Sequence, residues 1–396
     1  MSNMKRECQV LVVGGGVAGT IAAVAAARKG ARTILIERNN FPGGTAATGL
    51  HCFICGLYVN DTKMPKHTIN KGIVREICSQ LKALAPEKKV LRIGKVYVLP
   101  YSRKDLVSVF CSMIKNEKQH LEVLYNARAV SVKTEQNTIT SVTVRGSEGI
   151  LNIIPRVVID CSGDGVIIQL SGSRYQLSKP QQRQLAGYTF RVKGLKGRDN
   201  MAAVKVPYYL AQAYAEKKIS LHLKFTTFTP VDNTDEGLFK ISIPPARDSI
   251  QLAKKDAIAV HQYLCKVLPL FKDSYISDTL SEVLEREGPR LCGEYTLSAN
   301  DVINARKFPD GVLKSAWPIE LWDQKKGPQY RYLNSGDYYE IPARCLKSQE
   351  ISNLFCAGRC ISVSQEALGS TRVMGTCMSL GEQAGCEAVR MVNTYL

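Results

Sequence analysis

The chain has 396 residues, 45% of them hydrophobic and 7% aromatic, enough for two domains with real cores. No apolar run approaches the ~18 residues of a membrane span, and thirteen cysteines scattered along a long chain exclude a disulfide scaffold. The net charge of +18 favours an anionic partner, be it nucleic acid, a membrane surface or an acidic small molecule, and the excess gathers in residues 63–104 and 174–224.

The first element follows Lys5 and Arg6 and is an apolar run, VLVV at 10–13. It stops in three glycines, so it reads as a buried parallel strand rather than a secretion signal, and the protein is expected in the cytoplasm. Gly14-x-Gly16-x-x-Gly19 comes next, then a helix of small residues, TIAAVAAARKG, closed by Gly30. A second strand, RTILIE, ends in Glu37. This is a complete β-α-β unit. The first glycine allows a tight turn, the second admits a diphosphate to the backbone, and the third brings helix against strand. The helix start, with Val17 and Ala18, offers free N–H groups to phosphate, and a carboxylate at Glu37 suits ribose hydroxyls. The unit predicts dinucleotide binding.

HCFICG at 51–56 holds a histidine and a C-x-x-C pair. Two cysteines fall short of the four ligands of a structural zinc, so no metal is expected. Three readings stand: apolar filling by Cys52, Phe53, Ile54 and Cys55, a redox dithiol, or His51 as an acid/base group or covalent anchor. Further on, RVVIDCSGDG at 156–165 is an apolar strand ending in Ser162-Gly163-Asp164. Residues 173–344 form a second unit with strands in LKFTTFTP and GLFKISIP, and with a helix at 249–268. Near the end a strand runs into Ala357-Gly358-Arg359, and Arg372 precedes a last helix of small residues beginning with Val373 and Met374. No second G-x-G-x-x-G follows a strand, so the electron donor or acceptor is expected to come from elsewhere or to share the substrate cavity.

Together these segments resemble the FAD-dependent oxidoreductases with the glutathione-reductase-type FAD fold, most closely the branch known only by that generic description. The resemblance rests on the N-terminal unit, Gly43-Gly44-Thr45, REGPRLCGEYTLSANDV (286–302), YYEIPARCL (338–346) and CAGRCIS…STRVMGTCMSLGEQAG (356–385). It implies a Rossmann-like α/β domain of residues 1–172 and 345–396, with an inserted α+β substrate domain, containing a mixed sheet, at 173–344. It implies FAD as cofactor. Arg38 and the Gly43–Thr45 turn would follow Glu37 along it, Ala129 and Val130 would read adenine, and 162–164 and 358–359 would close over it. Arg372, Val373 and Met374 would face the flavin. Hydride would pass between flavin N5 and a small, anionic substrate. His51, Cys52, Arg290 and Arg344 are the catalytic or substrate-holding candidates, the arginines for their paired donors. The chain departs from the disulfide-reductase members, whose redox cysteines would fall at Ala46 and His51, and it lacks the histidine that the branch often carries near 317–323. A tRNA-modifying flavoenzyme and an electron-transferring FAD subunit are the alternatives. The lack of a recognised RNA module argues against nucleic acid.

Overall fold

A computed structural model describes residues 4–231, 233–246 and 248–394. The first strand, Met4–Val13, lies between Thr33–Ile36 and Gly149–Asp160 and is parallel to both. Leu121–Leu124 extends this parallel run beyond Thr33–Ile36. Leu354–Cys356, from the far end of the chain, pairs in parallel with residues 158–160. Antiparallel Thr138–Gly146 and Arg128–Glu135 complete a seven-stranded sheet. All four residues of Thr33–Ile36 are buried, as expected for a strand covered on both faces.

The helix Val17–Arg28 explains why the two ends of the chain meet. Ten of its twelve residues are buried, and those at 18–27 are alanine, glycine, valine, isoleucine or threonine. Such a helix can touch a neighbour backbone to backbone. The neighbour is the last helix, Met374–Thr394. A Cβ on its Gly381 would stand 2.1 Å from the carbonyl oxygen of Ala18, and one on Gly385 would stand 2.4 Å from that of Ala22. Only glycine fits at those crossings.

The second unit is built on a four-stranded sheet in the order Thr227–Pro230, Gly237–Ile243, Ala186–Lys193, Tyr275–Thr279. Its pairing is antiparallel throughout. Strand alternation sends Tyr188, Phe190, Phe239, Ile241 and Ile243 to one face, where helices Ala202–Ala215 and Ser249–Val267 cover them. Phe190 and Phe239 stack there at 4.8 Å. Thr189 and Lys240, partners in register, lie on the other face. Part of LKFTTFTP forms the 3-10 turn Leu221–Phe225 before the strand begins.

Gly381→Ala is expected to lower stability by roughly 1–3 kcal/mol by forcing the first and last helices apart. Gly146→Ala, whose Cβ would meet only Ala127 Cβ at 3.7 Å, is the near-neutral control. Thermal unfolding of both variants checks this.

Candidate active site

At Gly14 and Gly19 the backbone leaves no room for a side chain. Gly14 has φ +98°, and a Cβ there would strike Ser162 Cα at 2.7 Å. At Gly19 it would strike the Gly14 carbonyl oxygen at 1.7 Å. Gly16 has open space where its Cβ would be. Opposite it, Gly43 N–H donates to the Gly15 carbonyl at 2.7 Å, and a Cβ on Gly44 would meet Gly16 Cα at 2.9 Å. Gly14, Gly16, Val17, Gly44 and Thr45 all keep some solvent access. They form a side-chain-free cradle at a helix start, which fits a diphosphate.

Glu37 is buried, and its carboxylate accepts from Gly15 N–H at 2.6 Å and from Asn39 N–H at 2.8 Å. Each oxygen keeps a lone pair for a ribose hydroxyl. The Glu37 carbonyl accepts from Ala127 N–H at 3.0 Å, which brings the start of the Arg128–Glu135 strand, with Ala129 and Val130, alongside. The side chain of Arg38 turns outward to pair with Glu282 at 2.7 Å.

Other predicted contacts resolve differently. Ser162 is engaged by the buried Asp160, whose carboxylate also accepts from the N–H groups of Ile167 and Ile168. Arg359 does not reach out of the fold. It donates to the Gly163 carbonyl at 2.7 Å, to Asp164 at 2.5 Å and to the Glu285 carbonyl, and so pins 163–164 to the second unit. Gly358, at φ +76°, faces Ala18 Cβ and completes the cleft wall.

The chain leaves the cradle through the four-residue helix Thr45–Thr48 and turns at Leu50, whose φ of 52° is a left-handed conformation costing about 1 kcal/mol for a branched side chain. Burial of Leu50 in the second unit's core holds it there. The turn directs His51 inward. Beyond it, Cys55 carbonyl accepts from Gly375 N–H at 2.8 Å, and a Cβ on Gly56 would collide with Val373 Cγ2 at 2.4 Å. HCFICG thus lies against the start of the last helix, where Arg372, Val373 and Met374 are half-buried.

Burial, with Lys240 and Arg286 beside it, pushes His51 down to about 3, so the ring is a neutral imidazole. Burial pushes Lys240 down to about 8 and Arg286 to about 9, and Arg286 also acts on Lys240 and Arg372 on both. Both cations lie on the Trp322 ring, Lys240 Nζ 5.0 Å and Arg286 Cζ 4.2 Å from its centre. Arg372 donates to the Glu320 carbonyl at 2.9 Å, and burial lowers its pKa. Glu320 is the carboxylate on which all three cations act. Burial pushes it up, but Arg372, Lys240, Trp322 N–H and Arg286 outweigh this, and it stays ionised. It accepts from Trp322 Nε1 at 2.6 Å and from Trp317 Nε1 at 3.4 Å. Strand Ile319–Asp323 pairs Glu320 with Tyr330 of Gly327–Arg331. Tyr330 is 45% and Tyr332 38% exposed, so the recess opens to solvent on their side.

The remaining candidates separate. Burial raises both thiols, Cys55 to about 12, and for Cys52 outweighs Arg191 and Lys88. They are protonated, which favours apolar filling over a redox dithiol. Arg290 is buried near the recess; its Nε donates to the Val363 carbonyl at 3.0 Å, while its Nη1 has no hydrogen-bond partner among the described residues. Arg344 is a correction: its guanidinium is exposed and doubly bonded to Asp310 at 2.8 and 3.0 Å, away from the recess. Lys240, Arg286 and Glu320 were not singled out by sequence reasoning. The signal for Lys240 is a lone cation inside the buried strand GLFKISI, and for Glu320 a lone acid inside WPIELW.

A family model described as FAD dependent oxidoreductase matches residues 9–395. The chain belongs to that family. It is therefore an enzyme with FAD as cofactor, and no helix among the described residues is long and apolar enough to cross a membrane. No curated protein matches the sequence. Among solved structures it is similar to OxyS, the anhydrotetracycline hydroxylase of Streptomyces rimosus, with 12% identity and TM-score 0.52 over 98% of this chain and 65% of that one. It is also similar to BexE, which is linked to oxidation during BE-7585A biosynthesis, with 10% identity and TM-score 0.53 over 98% and 63%. It spans less than two thirds of either protein, and at such identities the likeness is one of fold.

Gly14→Ala is expected to abolish FAD binding, and Glu37→Ala to weaken it about ten- to a hundredfold through loss of a charged acceptor. Titration of deflavinated protein, followed by flavin fluorescence, checks both. Native Cys52 and Cys55 are expected to resist alkylation at neutral pH, and Cys52→Ser/Cys55→Ser to keep the flavin reducible by substrate. A lost reduction would show the dithiol to be redox-active.

Proposed function

We propose that the protein transfers hydride between N5 of bound FAD and a small anionic organic substrate held in the recess of Lys240, Arg286 and Arg372. FAD supplies the two-electron chemistry, and the chain supplies position and charge. Gly14, Gly16, Val17, Ala18 and Gly19 would hold the diphosphate, Glu37 the ribose hydroxyls, and Ala129 and Val130 the adenine. Gly43, Gly44, Thr45, Arg372, Val373 and Met374 would line the flavin end. We assign residues 1–172 and 345–396 to the FAD half and 173–344 to the substrate half, and the electrons to an external donor or acceptor.

The observation that carries this reading is the charge count of the recess. Lys240, Arg286 and Arg372 share Glu320, and the histidine beside the cations is neutral. Glu287, which also acts on Arg372, is paired with Arg290 at 3.9 Å, and Glu285, which also acts on Arg286, is held more strongly by Arg359. A like-charge pair at ~4 Å and an effective dielectric of about 20 costs about 4 kcal/mol. A bound anion relieves that repulsion, and the planar guanidiniums of Arg286 and Arg372 suit a carboxylate. A proton carrier works best with a pKa near the working pH. Lys240 is far closer to this than His51, so Lys240 exchanges the substrate's proton, and His51 serves as a neutral hydrogen-bonding group.

Lysine is a cation below its pKa. Raising the pH through about 8 removes one of the three positive charges. KM for the anionic substrate is therefore expected to rise across that interval, while kcat for substrate oxidation rises as the free amine appears. Lys240→Met should flatten both profiles, and Lys240→Arg should keep the low KM while losing kcat. The first experiment is anaerobic bleaching of the flavin by small 2-hydroxy and 2-amino acids beside their methyl esters. Reduction by esters as readily as by the acids would refute the anionic site.

A further inference from the structure

Residues 63–104 hold eleven lysines and arginines against two acids, Glu76 and Glu87. Lys88 pairs with Asp105 at 3.6 Å; the other ten cations form no ion pair among the described residues. Part of this excess collects around a hairpin. Strand Leu91–Ile93 pairs with Val96–Pro100, which on its other edge pairs with Phe53–Ile54 of HCFICG. The hairpin is thus fastened to the segment that carries His51.

Its tip is a projection. Residues 91–95 are all exposed, Leu91 at 44% and Ile93 at 47%, and a Cβ at the Gly94 turn would meet nothing within 4 Å. Tyr97 Oη, in the second strand, donates to the Asp61 carbonyl at 3.0 Å, which brings the 61–66 loop alongside. That loop adds exposed Lys63 and Lys66 and a 56% exposed Met64. On the inner side Lys95 Nζ lies 5.2 Å from the centre of the Tyr332 ring, and Tyr332 stacks on Tyr330 at 6.0 Å. These two tyrosines form the mouth of the recess.

Charged residues on a free strand edge guard against pairing with other chains, and that accounts for Arg92 and Lys95. It does not account for three exposed aliphatic side chains beside them. Nucleic acid would be met by aromatic or polar groups at such a tip. A folded protein would call for a flatter surface with aromatic anchors at its centre. Aliphatic side chains on a protruding tip, collared by lysine and arginine, have the chemistry of a lipid headgroup layer with negative charge.

We propose that this hairpin and the 61–66 loop dock the protein peripherally on an anionic phospholipid surface. Leu91, Ile93 and Met64 enter the headgroup layer, the surrounding cations sit on the phosphates, and the mouth at Tyr330 and Tyr332 comes to rest beside the bilayer. Docking stands on the hairpin's chemistry alone, while the placement of the mouth rests on the recess described above.

The test is co-sedimentation of the FAD-loaded protein with phosphatidylcholine vesicles, with and without phosphatidylglycerol. Sedimentation is expected only with phosphatidylglycerol, and salt should reverse it. Leu91→Glu/Ile93→Glu and Lys63→Glu/Lys66→Glu should each reduce binding more than tenfold, each cation removed being worth about fivefold. Both variants substitute exposed positions, and retained flavin absorbance certifies their fold. Native protein left in the supernatant at low salt overturns the proposal. So does undiminished sedimentation of the Leu91→Glu/Ile93→Glu variant, or binding to an acidic polypeptide in preference to the vesicles. Vesicle binding is read without turnover, so failure of the proposed reaction would leave this result standing.

Discussion

Everything in this molecule depends on two helices that touch through their backbones. The helix after the first glycine turn and the helix that ends the chain cross where Gly381 and Gly385 face the carbonyls of Ala18 and Ala22. That contact brings the start of the last helix over the diphosphate cradle and against Cys55 and Gly56. With larger residues at the crossing, the cleft would have one wall. The stretch of alanines in the first helix is therefore as much a part of the site as the glycines before it.

A second constraint is electrostatic. The antiparallel sheet of the second unit has a face of aromatic and aliphatic side chains under its helices and an opposite face that carries Lys240. Alternation along one strand thus separates a dry core from a charged recess by a single residue step. Burial acts on each group in the recess in a different way. It leaves histidine neutral, brings a lysine into the range where proton exchange is useful, and is outweighed at Glu320 by the surrounding cations. In the reaction proposed above, the recess would use its cations to draw an anion in and a neutral amine to take a proton, and Lys240 sits at the boundary between those demands.

The β-α-β unit was legible because each of its residues answers a local requirement: a φ near +98° at Gly14, a carbonyl contact at Gly19, a buried acceptor at Glu37. The helix at Ser249–Val267 and the strand at Gly237–Ile243 were legible from periodicity. The recess was not, because Lys240, Arg286, Glu320 and Arg372 come from four separated segments, and only tertiary structure makes them neighbours. Arg344 misled for the same reason. It lies in the stretch YYEIPARCL, but its guanidinium is taken by Asp310, 34 residues earlier in the chain. Arg359 is a further case, its guanidinium occupied by Gly163, Asp164 and the Glu285 carbonyl.

The chain has two tryptophans, and the indole N–H groups of both, Trp317 and Trp322, point at the same carboxylate, Glu320. Trp322 also lies under Lys240 and Arg286. Tryptophan emission from this protein, excited selectively on the red side of tyrosine absorption, therefore arises wholly at the charged recess, with no tryptophan elsewhere to dilute it. An anion entering there, or a proton leaving the lysine, alters the field across both chromophores at once. Occupancy of the recess can thus be read optically without a label.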